Sequence, residues 1–404
     1  MSDSRAALLH PFSAPGKAEG DFINLVRAEG STIYDDNGKA YIDGMASLWY
    51  CQVGHGRQEI VDAVTRQMSA LATYNTFDPF TNDAAREVAD LIAAKSPMDD
   101  PRVFLGCSGS EAVDTALKIA RLVQQRRGND GRQIIVRRDR GYHGTNFGGT
   151  SAQGIAPNRE GWGDLVPHFE QVDGDDIEEM SKLFAEKGDR IAAVISEPLQ
   201  GAGGVHPPAD GYLEGMRRLC DQHGALLIFD EVICGFGRTG EWFAGQTYGV
   251  VPDLMTFAKG VTSGYLPLSG VVVGRPVADE LESGDLLRHG YTYSGHPAVC
   301  AAGVANINII EEEGLVARSH HIGEQFEKGF QAIVGDGMAK SYRGIAAVWA
   351  LDIGRDAIPV RDALMDDGII VRGIGDSLLM CPPLVITDDE IGQMVESFAK
   401  ALVQ

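Results

Sequence analysis

Short apolar runs alternate with amphipathic runs for about 250 residues of this 404-residue chain, and that rhythm restricts the fold more than any other feature. Residues 102–105, 133–136, 191–196, 225–229 and 254–258 read as short buried strands. Residues 111–127 place Ala112, Ala116, Ile119, Ala120 and Val123 on one helical face. Tyr212, Leu213, Met216, Leu219 and Cys220 recur at helical spacing and stop at Gly224, a suitable left-handed helix end. Strand, helix, strand in that order predicts a parallel sheet with right-handed crossovers. Ahead of it, Asp36-Asn37-Gly38 between residues 32–34 and 41–42 predicts a hairpin closed by a type I′ turn. From about residue 304 the rhythm changes to a smaller α+β unit. It comprises a helix at 304–313, a strand at 348–353, a helix near 360–366 and strands at 369–372 and 378–381. A last helix opens on the capping box Thr387-x-x-Glu390 and turns Ile391, Met394, Val395 and Phe398 inward.

Charge narrows the partners. Lys and Arg number 35 against 57 Asp and Glu, a net −22, so nucleic acid and anionic membrane surfaces are disfavoured. No apolar run approaches the ~20 residues of a membrane helix, and the first residues lack a signal-peptide core. The six cysteines, at 51, 107, 220, 234, 300 and 381, are spaced too widely for a CxxC or zinc motif. A soluble, cytoplasmic protein without a metal site is the expectation. Glycine is unusually frequent, 50 residues or about 12% against a typical ~7%, so close backbone approaches are expected.

Three patterns near strand ends carry chemistry. The apolar run ending in Asp230-Glu231 resembles the metal-holding strand of a P-loop ATPase, but no GxxxxGK[ST] accompanies it. Gly235-Phe236-Gly237-Arg238-Thr239-Gly240 matches GxGxxG, yet five residues separate it from the strand and a poor helix former follows it. Gly106-Cys107-Ser108-Gly109-Ser110-Glu111 lies between a strand and a helix, with Ser108-x-x-Glu111 as a capping box. Such a helix start suits one phosphate. Lys259 follows an apolar strand, where a charge is costly, one strand along from Asp230. A monophosphate cradle, a buried carboxylate and a buried amine are the three requirements of pyridoxal 5′-phosphate.

These residues, with Tyr142-His143-Gly144, Ser196-Glu197-Pro198, Asp230 to Gly240, Phe257-Ala258-Lys259-Gly260 and Gly290-Tyr291-Thr292-Tyr293-Ser294-Gly295-His296-Pro297, resemble class III (subgroup II) pyridoxal-phosphate aminotransferases, in particular the omega-amino-acid or amine:pyruvate group. The resemblance runs nearly end to end. It implies the aspartate aminotransferase-like fold type I, with a large cofactor domain at 46–303 around a mainly parallel seven-stranded sheet. Residues 1–45 and 304–404 are then expected to form a small domain from both chain ends. It assigns Lys259 to the internal aldimine and proton shuttling, and Asp230 to the pyridine nitrogen. Ser108, Gly109 and Ser110 fall at the phosphate loop. Tyr142 is expected on the ring face and at the substrate, with His143 beside it. Glu197 would order the site, and Val232 would pack against the ring. Thr292 is expected to reach the phosphate of a neighbouring subunit and Tyr291 to line that subunit's pocket, which implies a homodimer or a dimer of dimers.

The same resemblance bears on substrate. Glutamate- and 4-aminobutyrate-using members carry a gate Glu two residues after the Gln of Glu-Pro-x-Gln-Gly; this chain has Ala202 there. Arg372 matches a mobile arginine that binds a carboxylate and swings away for a carboxyl-free amine. Trp49, Tyr50 and Phe77 correspond to the aromatic wall of the larger pocket. The expectation is a ping-pong transaminase passing an amino group from an amine or omega-amino acid to pyruvate. A 4-aminobutyrate- or ornithine-type enzyme using 2-oxoglutarate, an aminomutase or decarboxylase of the same fold, and a binding protein without catalysis are the alternatives.

Overall fold

A computed structural model describes residues 7–403. The chain opens with an antiparallel meander, β1 (Leu25–Glu29), β2 (Thr32–Asp35) and β3 (Ala40–Asp43). The turn joining β2 to β3 is not type I′: Gly38 takes φ 83° while Asn37 stays out of the left-handed region. The cause is Asp35, whose Oδ1 accepts the Asn37 and Lys39 N–H groups at 2.9 and 2.8 Å and tightens an ordinary turn ahead of the glycine.

The central sheet has seven strands. In chain order they are β4 (Arg102–Gly106), β5 (Ile134–Arg138), β6 (Phe169–Val172), β7 (Ile191–Ser196), β8 (Leu226–Asp230), β9 (Leu254–Phe257) and β10 (Ser269–Val273), and in space β4-β10-β9-β8-β7-β5-β6. Strand β10 runs antiparallel to both neighbours, and the other pairings are parallel. β7, β8 and β9 are buried along their whole length, because helices cover both faces. Helix Gly109–Arg126 packs Ala112, Ala116, Ile119, Ala120 and Val123 into one of those layers. Helices Ile177–Lys187 and Tyr212–His223 form the other, with Phe184 and Met216 at its centre. Gly224 ends the second of these at φ 69°, as its sequence predicts.

The C-terminal part is more helical than its periodicity suggests. The helix expected at 304–313 starts at Pro297, because its first residues are buried too and show no amphipathic stripe. A further helix, Leu315–Gly335, turns Leu315, Ile322, Phe326, Phe330 and Ile333 into the core. Strands β11 (Ser341–Ile345), β12 (Val348–Asp352), β13 (Ile369–Ile370), β14 (Arg372–Ile374) and β15 (Ser377–Met380) follow. The single strand expected at 369–372 is two. β13 pairs with β3, whereas β14 pairs with β15 in the sheet β11-β12-β15-β14. Chain start and chain end are therefore hydrogen-bonded together. The last helix, Asp388–Leu402, carries the expected capping box: Glu390 N–H donates to Thr387 Oγ1 at 3.2 Å, and Thr387 N–H to Glu390 Oε2 at 2.8 Å. No helix among the described residues is long and apolar enough to cross a membrane.

Candidate active site

The C-terminal ends of β8 and β9 lie side by side, with Asp230 in register with Thr256. Thr256 Oγ1 donates to Asp230 Oδ1 at 2.9 Å, and the Val232 N–H reaches the same oxygen at 3.2 Å. Oδ2 receives His143 Nδ1 at 2.7 Å; a carboxylate only accepts, so that nitrogen carries the proton. His143 is buried, and its Nε2 has no partner among the described residues. A carboxylate 3% exposed and bonded by three donors is held in one orientation.

The loop from β4 into helix Gly109–Arg126 supplies the second wall. Ser108 caps the helix by accepting the Glu111 N–H at 3.2 Å. The expected reciprocal bond is displaced by one residue, since Glu111 Oε2 takes the Cys107 N–H at 2.7 Å. Ser110 Oγ accepts the Thr145 N–H at 3.0 Å, binding this loop to the one after β5. That approach requires Gly144, at φ 84°: a Cβ there would lie 2.5 Å from Ser110 Oγ. A Cβ on Gly109 would meet Val232 Cγ1 at 3.1 Å, so the helix start and Val232 are in close contact.

Lys259 follows β9 in a left-handed conformation, φ 49°. Burial lowers its amine below the usual lysine range, against the opposing pull of the Asp230 and Glu197 charges. The amine, Asp230, His143, Val232, Gly109 and Ser110 enclose one cavity of about 150 Å³, closed in addition by Tyr142, Gly144 and Glu197. Glu197 Oε1 accepts the Tyr142 N–H at 2.8 Å and Oε2 the Gly201 N–H at 2.9 Å. Burial raises the carboxyl, and its contacts join two loops.

The remaining sequence-assigned residues divide. Tyr142 borders the cavity: burial raises its phenol, and the Arg372 guanidinium charge opposes that rise. Burial in turn lowers Arg372. Trp49 is 1% exposed in an apolar cluster with Leu199 and Ile233, against which Ala202 packs, and Ile233 also lines the cavity. Tyr50 lies against Gly264, five residues beyond Lys259. Phe77 is half exposed and packs on Gly290, outside the cavity of its own chain. Tyr291 donates to the Glu111 carbonyl at 3.1 Å, and its hydroxyl lies 3.1 Å from Thr115 Oγ1, so its tip is held by its own chain. Thr292 is exposed on the single chain. Sequence reading missed Thr256, and gave Gly144 no role of its own within the Tyr142-His143-Gly144 motif. A threonine inside the apolar run Leu254-Met255-Thr256-Phe257 was the available signal for the first.

A phosphate-sized helix start, an amine at lowered basicity and a fixed carboxylate on one small cavity fit pyridoxal 5′-phosphate. The chain matches the family model described as aminotransferase class-III over residues 14–402. It belongs to the class III aminotransferases. Class III aminotransferases depend on pyridoxal 5′-phosphate, and this chain shares their fold type I architecture. It is 36% identical to a putrescine–pyruvate aminotransferase of Pseudomonas aeruginosa, over 94% of this chain and 90% of that one. A beta-alanine–pyruvate aminotransferase of the same organism is 36% identical, over 97% and 94%. A PLP-bound amine transaminase from an uncultivated Pseudomonas species superposes with a TM-score of 0.94 at 32% identity, covering 100% of this chain and 99% of that one.

Proposed function

We propose that this aminotransferase takes its amino group from an amine or omega-amino acid and delivers it to pyruvate, in two half-reactions at one site. The observation that carries the acceptor and donor classes is the Arg372 guanidinium within electrostatic reach of Tyr142, which lines the cavity, with Ala202 where a gate carboxylate would stand. A guanidinium binds the keto-acid carboxylate bidentately, and without a fixed carboxylate partner it is free to leave for a carboxyl-free amine. Both similar relatives described above are pyruvate aminotransferases by name.

The coenzyme, when bound, carries the amino group in transit and takes up the electron pair released at the substrate carbon. Asp230, held by Thr256, His143 and the Val232 N–H, would accept from the pyridine nitrogen and keep it protonated. Gly109 and Ser110 at the helix start would receive the phosphate, with Ser108 as cap. Tyr142 would cover one ring face and Val232 the other. Lys259 would hold the coenzyme covalently at rest and, once displaced, move the proton at the substrate carbon; its lowered basicity suits both tasks. Trp49 and Tyr50 would bound the substrate, and Phe77, Tyr291 and Thr292 would act across a homodimer, with Thr292 reaching the second copy's phosphate.

Incubation with an omega-amino acid or an arylalkyl amine plus pyruvate should yield alanine. Glutamate formed from 2-oxoglutarate with no alanine from pyruvate would overturn the acceptor assignment. In parallel, Lys259→Ala should abolish borohydride fixation of the coenzyme to the chain.

A further inference from the structure

The segment after β3 bends through a conformation its residues disfavour. Ala46, Ser47 and Trp49 stand at φ 45°, 59° and 68°, and none of them is glycine. One buried carboxylate holds this turn. Asp43, 0% exposed, accepts the Met45 N–H on Oδ1 at 3.1 Å and the Ser47 N–H on Oδ2 at 2.6 Å. Oδ2 also lies 3.0 Å from His55 Nε2, which must carry the proton toward it. His55 is fixed in turn by its backbone, which exchanges two hydrogen bonds with Gly30 at 3.0 and 2.8 Å, and Cys51 Sγ lies 3.7 Å from its Nδ1.

The residues between the two ends of this clamp press on the loop that carries Lys259. Gln52 packs its side-chain amide on Gly260, Tyr50 packs its ring on Gly264, and the Val53 N–H donates to Ser263 Oγ at 3.1 Å. That loop is also left-handed, with Lys259, Ser263 and Gly264 at φ 49°, 48° and 76°. Two strained segments thus brace each other, and strain persists only where surrounding contacts over-determine it.

We propose that Asp43 and His55 are positioning residues for the catalytic amine: they clamp the 45–49 turn, and residues 50–53 thereby hold the Lys259 loop in the conformation that presents its amine to the cavity. The inference rests on the reading that Lys259 carries the coenzyme. A purely structural pair would contribute to melting temperature and nothing else; a clamp sets how the coenzyme is held.

The test compares full-length, coenzyme-loaded wild type with His55→Ala, His55→Gln and Asp43→Asn. The readouts are coenzyme dissociation constant, visible circular dichroism of the bound coenzyme, kcat, KM and thermal melt. His55→Ala should bind pyridoxal 5′-phosphate at least tenfold more weakly, lose visible dichroism and lose at least tenfold in kcat, with amine KM within threefold. His55→Gln keeps an N–H for Asp43 and should return both constants to within threefold of wild type. A His55→Ala chain that melts lower but keeps coenzyme affinity, dichroism and kcat within twofold overturns the inference. If His55→Ala does not fold, Asp43→Asn, which retains one acceptor for the turn, is judged by the same thresholds. Wild-type protein whose borohydride-reduced coenzyme is attached elsewhere than Lys259 overturns the functional reading and this inference together. Attachment at Lys259 with unchanged variants overturns this inference alone.

Discussion

Glu231 stands next to Asp230 and is wholly buried, yet its two oxygens serve a different loop. Oε2 accepts the Ala244 N–H at 2.9 Å and Oε1 the Gly245 N–H at 2.7 Å. Burial outweighs those two bonds and pushes the carboxyl up to about 7, with the Asp230 charge adding to the rise. In the unfolded chain a glutamate titrates near ~4.3. A folded value above the unfolded one means that protonation stabilises the fold. The contribution is complete below the unfolded value and is lost as pH climbs through 7. Between those limits stability falls by about 1.36 kcal/mol per pH unit, or roughly 2–3 kcal/mol from pH 5 to pH 7.5. Glu231→Gln removes the titration and keeps the shape. Unfolding entropy of roughly 2.1 cal/mol/K per residue gives about 0.85 kcal/mol/K over 404 residues, so the effect corresponds to about 3 °C. Thermal melts of both proteins at pH 5, 6.25 and 7.5, with saturating coenzyme, provide the assay. The melting temperature of wild type minus that of Glu231→Gln should be about 3 °C more positive at pH 5 than at pH 7.5. Parallel curves, or a wild-type-minus-variant difference that becomes more positive as pH rises, would refute the reasoning.

Other substitutions probe the cavity itself. Thr256→Val deletes one donor to the Asp230 carboxylate, worth about 1.5–3 kcal/mol for a bond to a charged group, and should weaken coenzyme binding about tenfold or more in equilibrium dialysis. Gly144→Ala places a Cβ 2.5 Å from Ser110 Oγ at φ 84°, so pyridoxal 5′-phosphate affinity should fall more than tenfold while pyridoxal lacking the phosphate loses far less. Arg372→Ala should raise KM for pyruvate by roughly 10–100-fold, the value of a bidentate carboxylate contact, and leave KM for a carboxyl-free amine within about threefold. Equal losses for both substrates in steady-state assays would count against the proposed switching of that side chain.

The parts of this fold legible in the sequence are those where one local property decides the outcome. The central strands of the large sheet are buried on both faces and therefore read as unbroken apolar runs, and Asp230 and Lys259 stand out because they interrupt those runs with charge. Strand β6 lies at the sheet edge with one half-exposed face, so Phe169-Glu170-Gln171-Val172 carries little signal. The first turns of helix Pro297–Glu312 are hidden for the opposite reason, being buried on nearly all sides. Val371 illustrates a third case: its neighbours on both sides are extended, but they belong to different sheets, and only the assembled fold divides them.

What sequence leaves unread at the site has a common physical origin. Thr256 matters because β8 and β9 pair with one register, and Gly144 because two loops 35 residues apart converge on Ser110. Ala46, Ser47, Trp49, Lys259 and Ser263 occupy left-handed backbone against their own preference. Local propensity fails at those five residues because long-range contacts override it, and such conflicts concentrate where geometry serves chemistry. Asp43 joins the two halves of that pattern. It is a buried carboxylate whose partners are backbone N–H groups and a histidine, so its charge is used to hold a shape and not to react. The amine at position 259 is presented by a loop in which three residues are left-handed, and the segment bracing that loop is itself strained. On the functional reading proposed above, a chain relaxed at both places would keep the sheet, the Asp230 carboxylate and the Gly109–Ser110 helix start, and would lose the orientation that proton transfer by Lys259 would need.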